Sequence, residues 1–330
     1  FTAKEGKNNI DVKNLIIKNK KLIKFDKISV KTLKNEKVNN DFTIIFDDKI
    51  NIKGFKYDAS NLTKFLEQQT KNNFLKNLNK EISINIKEIE TNVADILFNY
   101  NLIGNINNGN FVKIISKGEF EDGKYLDISL KEDKIYKKKI LEIYSDLPKP
   151  LLSNYKFFNG LIGGKLLLLS SYDSKISNTN LLIENFKVKD APGLVKLLSL
   201  ADFRGMIDTL SGEGLSFERL EMKMTKDRQV LTLKELYAIG PSVSILMDGY
   251  VESHTGLVSL RGTMVPAKTL NKFISKLPLL GDILIPKEIG EGLFGISFKM
   301  KGTPDKIKTT VNPIKTLTPR FIQKALKKSK

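Results

Sequence analysis

The chain has 330 residues and a formal net charge of +18, from 55 Lys and Arg against 37 Asp and Glu, with one His and no Cys. Its 41% hydrophobic content is enough to build a core, which excludes a wholly disordered chain. The missing cysteines exclude disulfides, thiolate metal sites and cysteine nucleophiles, and a single histidine excludes a multi-histidine zinc centre. We therefore expect no cofactor.

Most of the chain shows the alternation of apolar and polar residues that is typical of β-strands. The alternating runs are short and are separated by Gly, Asn, Asp or Pro, which favours antiparallel meanders. Three dipeptides, Asn108-Gly109, Asp122-Gly123 and Asp248-Gly249, predict tight hairpins. The predicted strands span 21–30, 42–52, 82–89, 111–120, 125–130, 181–188, 230–239, 243–251, 257–265 and 293–300.

Four segments have apolar residues at helical spacing instead. The segment 60–78 begins at Ser60, a favourable N-cap, and the segment 191–210 ends just before Gly212. The other two predicted helices span 267–280 and 316–328. The sequence thus predicts a mainly β protein whose amphipathic helices lie mostly near its C-terminal end.

A change in composition near Leu147-Pro148-Lys149-Pro150 is the best candidate boundary. After it glycine becomes more frequent, all five arginines appear and asparagine becomes rarer. We therefore expect a repeated β-strand segment with one helix over 1–150 and a second region over 151–330. The absence of a low-complexity linker indicates two halves of one continuous β structure.

The positive charge is uneven along the chain. Only five of the 55 basic residues are Arg, the side chain best suited to bidentate phosphate and base recognition, which argues against nucleic acid as a partner. Residues 301–330 carry nine basic residues and one acidic residue. A basic amphipathic helix in this tail suits an anionic membrane surface, with Lys324, Lys327 and Lys328 at the headgroups. A solvated C-terminal helix is the alternative.

The sequence contains no catalytic constellation. The stretch from Gly160 to Leu166 lacks both the spacing and the hydroxyl residue of a phosphate loop, which indicates a glycine turn before a strand. Gly212-Glu213-Gly214 lacks the third glycine of a dinucleotide fingerprint. His254 lies in a polar segment typical of a surface turn, and nothing in the sequence orients it for catalysis. We therefore predict that the protein is not an enzyme.

Several predicted strands have one apolar face. Phe294, Ile296, Phe298 and Met300 alternate with polar or small residues, and Val243–Met247 does so with one interruption at Leu246. Such a face usually packs against a second sheet or a helix. The alternative is that a single curved sheet presents it to lipid tails. Sequence pattern alone leaves both interpretations open.

A series of short motifs runs in order from about residue 151 to the end: Gly163–Leu166, Ile183–Pro192, Leu197–Ala201 with Gly205, Ser211–Phe217, Leu260–Pro266, Leu277–Gly281, Glu291–Phe294, Lys301-Gly302, Val311–Pro313 and Thr318-Pro319. In these motifs the region resembles the C-terminal region of AsmA-like proteins of the YhdP type, found in Gram-negative cell envelopes. The resemblance covers roughly half of the chain, and residues 1–150 share only its style of repeated strands. One turn departs from the family pattern, because Thr303-Pro304-Asp305 stands where the family usually has Asp-Pro.

This resemblance implies an elongated, twisted antiparallel sheet curled into an open hydrophobic groove. It implies a non-enzymatic envelope protein that carries phospholipid between inner and outer membranes and supports outer-membrane integrity. The chain begins at Phe1 and shows no signal peptide and no apolar run long enough to span a bilayer. The resemblance also implies a periplasmic protein that is anchored to the inner membrane through a segment absent from this chain.

The residues predicted to line the groove come from four strands of the second half. An alternative function is a structural module that assembles envelope partners through edge strands without binding lipid. Nucleic-acid binding is the least favoured hypothesis. The predicted lining consists of Phe186, Val188, Val243, Ile245, Met247, Val258, Leu260, Phe294, Ile296 and Phe298.

Overall fold

The computed structural model describes residues 1–18, 21–62, 78–133, 135, 138–158, 160–200, 204–266, 295–303 and 306–314. The protein is mainly β, as predicted, and the described residues include one mixed sheet of 18 strands. Within the described residues this sheet does not close on itself. The predicted helices at 267–280 and 316–328, and most of the one at 60–78, lie outside the described residues.

The chain forms two compact units. The first consists of Phe1–Tyr155 and Leu166–Asp173, and the second of Lys156–Lys165 and Ser174–Lys330. The boundary predicted after residue 150 lies within a short helix, α1 (Lys149–Leu152), just before the first unit's main segment ends.

The main sheet of the first unit runs in chain order, each strand beside the next, and β3 and β4 form a separate pair. The β7–β8 pair is parallel, which corrects the prediction of a wholly antiparallel sheet. Parallel neighbours need a long crossover, and residues 59–79 supply one. The strands are β1 (Thr2–Glu5), β2 (Asn8–Lys13), β3 (Ile16–Lys18), β4 (Lys21–Lys24), β5 (Lys27–Lys34), β6 (Lys37–Phe46), β7 (Lys49–Asp58), β8 (Lys80–Glu90), β9 (Ile96–Asn107), β10 (Asn110–Phe120), β11 (Lys124–Asp133), β12 (Lys138–Ser145) and β13 (Leu161–Tyr172). Of β13, the residues from Leu166 onward belong to this unit.

In the second unit, β14 to β20 pair antiparallel, each with the next strand in the chain. Two helices, α2 (Pro192–Leu200) and α3 (Arg204–Ser211), stand where a single helix was predicted over 191–210. The Gly212 N–H bonds the Asp208 carbonyl at 2.9 Å where α3 ends, as the predicted stop requires. The strands are β14 (Ser177–Val188), β15 (Leu215–Lys226), β16 (Val230–Ile239), β17 (Val243–Glu252), β18 (Val258–Pro266), β19 (Gly295–Gly302) and β20 (Lys308–Ile314).

The hairpin predictions have different outcomes. Asn108 and Gly109 have φ values of 46° and 71° and join β9 to β10, which confirms the first prediction. Asp122-Gly123 likewise lies in the connection from β10 to β11. The prediction for Asp248-Gly249 is wrong, because both residues lie inside β17. Gly249 is needed there for another reason: its φ is 148°, and a Cβ atom would lie 2.1 Å from the Ser259 carbonyl oxygen of β18.

Replacing Gly249 with Ala should therefore lower the free energy of unfolding by about 2 kcal/mol or more, through backbone strain and the collision with β18. Chemical denaturation measures this loss. Gly205→Ala is the control, because Gly205 lies in α3 with open space around its Cα. That change should leave stability unchanged or raise it by up to about 1 kcal/mol. Equal effects at both sites would contradict the assignment.

Candidate functional site

A continuous row of apolar side chains crosses ten strands of the first unit on one face of the sheet. Residues directly opposite each other in neighbouring strands share a face, so the strand register alone defines the row. Every member except one serine is apolar. From β2 to β13 the row consists of Val12, Ile28, Ile44, Ile52, Ile84, Leu102, Ser116, Ile128, Ile143 and Leu168.

Two further rows flank this central row on the same face. Their members are again mostly Ile, Leu and aromatic residues, with Gly or Ser at a few positions. One flanking row is Phe46, Ile50, Ile82, Gly104, Ile114, Leu130, Leu141 and Ser170. The other contains Ile10, Val30, Phe42, Gly54, Ile86 and Tyr100, and on later strands Gly118, Leu126, Ser145 and Leu166. We call these three rows together the apolar face of the first unit.

The two faces of this sheet differ in exposure. Leu102 on the apolar face is 7% exposed, whereas its chain neighbour Ile103 on the opposite face is 65% exposed. Many apolar-face members, among them Ile52, Ile84 and Ile128, are only half-buried. The apolar face therefore combines buried side chains with accessible apolar surface.

The packing on this face comes from neighbouring strands. One cluster is centred on Ile50, Ile82 and Leu102, and its members in strands come from β6 to β10. A second is centred on Leu97, Phe120 and Leu126. Leu147, just before α1, and Leu151, within α1, pack against this second cluster. The segment carrying α1 therefore covers one end of the face.

The second unit brings seven of the predicted lining residues together. They lie on one face of three adjacent strands, and the strand pairing places residues of different strands opposite one another. Ile245 stands opposite Met264, which stands opposite Ile296, and Met247 is related in the same way to Gly262 and Phe298. The seven are Val243, Ile245 and Met247 on β17, Val258 and Leu260 on β18, and Ile296 and Phe298 on β19.

Burial divides these seven residues into two groups. Val243, Met247, Ile296 and Phe298 are at most 5% exposed and form ordinary core. A Cβ atom on Gly262 would lie 2.4 Å from the Phe298 ring, so that ring packs directly over the glycine. The other three, Ile245, Val258 and Leu260, are half-buried. They keep the apolar surface that a ligand could contact.

The two predicted lining residues on β14, Phe186 and Val188, follow a local irregularity in the strand. Asn185 has a φ of 53°, and both Ile183 and Phe186 lie against the position that a Gly164 side chain would occupy. Phe186 stacks on Phe217 of β15, with ring centroids 5.3 Å apart. Val188 is half-buried at the end of the strand. Phe294, Lys324, Lys327 and Lys328 lie outside the described residues.

Much of the sheet face that carries the predicted lining residues of the second unit was not predicted from the sequence. It did not predict β15, whose buried residues Leu215 and Phe217 are followed by Leu220 and Met222. The one-residue shift between these pairs disguises the alternation. Neighbours of the predicted residues that lie on β15 were missed together with that strand. The others were missed because the sequence does not reveal which strands pair. The additional members are Leu181, Ile183, Leu220, Met222, Leu236, Ala238 and Met264.

No cluster of metal-ligating side chains accompanies the apolar surface within the described residues. His254 lies in an exposed turn between β17 and β18, as predicted, where Thr255 Oγ1 donates a hydrogen bond to Glu252 Oε2 at 2.9 Å. Across the described part of the chain, no three His, Cys, Asp or Glu residues gather to hold a metal ion. No described helix is both long and apolar enough to cross a bilayer. Apolar surface is thus the candidate site's main chemical property.

Comparison with known proteins adds no relative: no family model, no curated protein and no solved structure matches this chain.

Tyr237 lies on the sheet face opposite to Val243, Ile245 and Met247, and its burial there can be tested. It is 6% exposed, and burial together with the nearby Glu221 carboxylate raises its pKa to about 12. Since folding favours the protonated phenol, this contribution to stability is complete below the unfolded pKa of about 10 and is lost as the pH rises toward 12. The free energy of unfolding of the wild type, minus that of Tyr237→Phe, should therefore decrease over this interval. A difference independent of pH would contradict the assigned burial.

Proposed function

We propose that this protein binds the acyl chains of phospholipid along its apolar face and carries lipid between the inner and outer membranes, without catalysis. The observation that supports the proposal is the row of apolar residues in register across ten strands. In this proposal the sheet curls into an open groove with the apolar face inside. The half-buried members then contact the lipid, and the buried members support them.

The dimensions of the row suit a path better than a single pocket. Nine spacings of about 4.8 Å give a length of roughly 43 Å, whereas one leaflet of a bilayer has only about 15 Å of hydrocarbon. Each buried methylene contributes about 0.8 kcal/mol, so a long acyl chain could gain about 10 kcal/mol. Such a row allows one chain to move past several equivalent positions at similar free energy.

Family and location belong to the same proposal. Residues 151–330 resemble the C-terminal region of AsmA-like proteins, which supports a periplasmic site of action and a role in outer-membrane integrity. The basic tail with Lys324, Lys327 and Lys328 would contact an anionic membrane. Envelope proteins at either membrane would be the partners.

Ile84→Glu tests the proposal directly. Ile84 is half-buried in the central row on β8, and a carboxylate there should repel acyl chains because it would have to be desolvated. We expect the purified variant to retain at most about a tenth of the phospholipid that accompanies the wild type, as measured by extraction and mass spectrometry.

Ile103→Glu is the matched control. Ile103 lies on the next strand with its side chain 65% exposed on the opposite face, and it should keep its lipid. Circular dichroism and thermal unfolding establish that both variants fold. Equal lipid loss from both, or a wild type that neither carries nor takes up phospholipid, would overturn the proposal. A dry wild type would favour the scaffolding alternative.

A second comparison tests the division between core and lining in the second unit. Ile245 is half-buried, whereas Phe298 is 2% exposed. Ile245→Glu should therefore reduce bound lipid while the protein still folds. Phe298→Glu should instead lower the free energy of unfolding by at least about 3 kcal/mol, because it buries a charge without a partner. Unfolding of both variants alike would assign Ile245 to the core.

A further inference from the structure

Basic side chains face one another on the last three strands of the second unit. Lys301 of β19 stands directly opposite Lys308 of β20, and Arg261 of β18 stands directly opposite Lys299 of β19. Like charges directly opposite each other in a sheet are destabilising. The structure therefore maintains a repulsive arrangement here.

No acidic residue in these strands offsets the repulsion. The strands β18, β19 and β20 contain these four basic residues and no Asp or Glu, and the connection from β19 to β20 adds one of each sign, Asp305 and Lys306. Arg261 Nε bonds Asp248 Oδ1 of β17 at 2.8 Å. Within the described part of the chain, Lys299, Lys301 and Lys308 have no carboxylate partner.

This basic surface is separate from the apolar lining. Lys299 and Lys301 alternate along β19 with Phe298 and Met300, so they lie on the opposite face of the same strand. All four basic residues are exposed. Among the described strands β20 is paired with β19 alone, and lysine on such an edge strand prevents strand addition, which would explain Lys308 alone. It does not explain the two lysines of β19, which is paired on both sides.

We propose that this surface, formed by Lys299, Lys301 and Lys308 beside the ion-paired Arg261, docks the protein onto an anionic membrane. Lysine ammonium groups act as point charges that suit a layer of mobile phosphate headgroups. Nucleic acid fits less well, since the Asp248 carboxylate already engages Arg261, the one guanidinium of this surface that could recognise phosphate or a base edge. Charge complementarity thus selects an anionic bilayer, and the proposal goes beyond lipid binding in the groove.

The test is co-sedimentation of the full chain with phosphatidylcholine vesicles, with or without phosphatidylglycerol. Lys301→Gln combined with Lys308→Gln should weaken binding to the anionic vesicles by about tenfold or more, since each lysine near a charged surface contributes substantially. The wild-type affinity should decrease as salt shortens the Debye length. Stability should be unchanged or slightly higher, because the substitution removes a like-charge pair.

The chain offers a closely matched control in the first unit. Lys113 of β10 also stands directly opposite a lysine, Lys131 of β11, and both are exposed. Those two strands together carry four basic and four acidic residues, so their local charge is balanced. Lys113→Gln with Lys131→Gln removes the same total charge, and we expect at most a twofold loss of binding.

Three outcomes would overturn the proposal. Equal losses in the two double variants would show that vesicle binding depends on net charge alone. Unchanged binding in the Lys301/Lys308 variant would exclude this surface. The surface would be assigned to nucleic acid if a duplex oligonucleotide competed with the vesicles and the Lys301/Lys308 variant lost more affinity for the oligonucleotide than for the vesicles. Co-purified phospholipid should stay constant throughout, so failure here is distinguishable from failure of the proposed groove.

Discussion

The two-residue period of the β-strand is the constraint on which this structure depends. Each strand places alternate side chains on opposite faces, and hydrogen-bonded register aligns those side chains from strand to strand. Across the first unit this register brings isoleucine opposite isoleucine on four successive strands, at Ile28, Ile44, Ile52 and Ile84. A pattern that is local in sequence thereby becomes a surface that extends across ten strands.

Strands with strict alternation and clear turn residues were predictable from the sequence. The predicted bounds of 230–239 coincide with β16, and those of β10 and β17 differ by a single residue. The predicted lining on β17, β18 and β19 shares one face for the same reason, because a correct alternation assigns the face of every residue in a strand. Alternation does not reveal how much of that face stays accessible, so the sequence could not separate Ile245 from Phe298.

Long-range pairing and local irregularities were not predictable. The parallel β7–β8 pair depends on which strands meet after a crossover. The helical spacing over 60–78 allows a strand–helix–strand unit, but it does not specify which two strands pair. The sequence Asp248-Gly249 is typical of a hairpin, but Gly249 serves close approach to β18 inside a strand. In β15, buried residues separated by three positions instead of two conceal an otherwise regular strand.

The strand β19 shows why register has functional weight in this sheet. Its even-numbered residues from Ile296 to Met300 are apolar, and its odd-numbered residues include Lys299 and Lys301. A slip of one residue would therefore exchange the apolar and basic surfaces. Gly262 opposes such a slip, because only a residue without a side chain leaves room for the Phe298 ring above it. The same pairing that builds the core thus keeps apolar surface and charge on opposite faces.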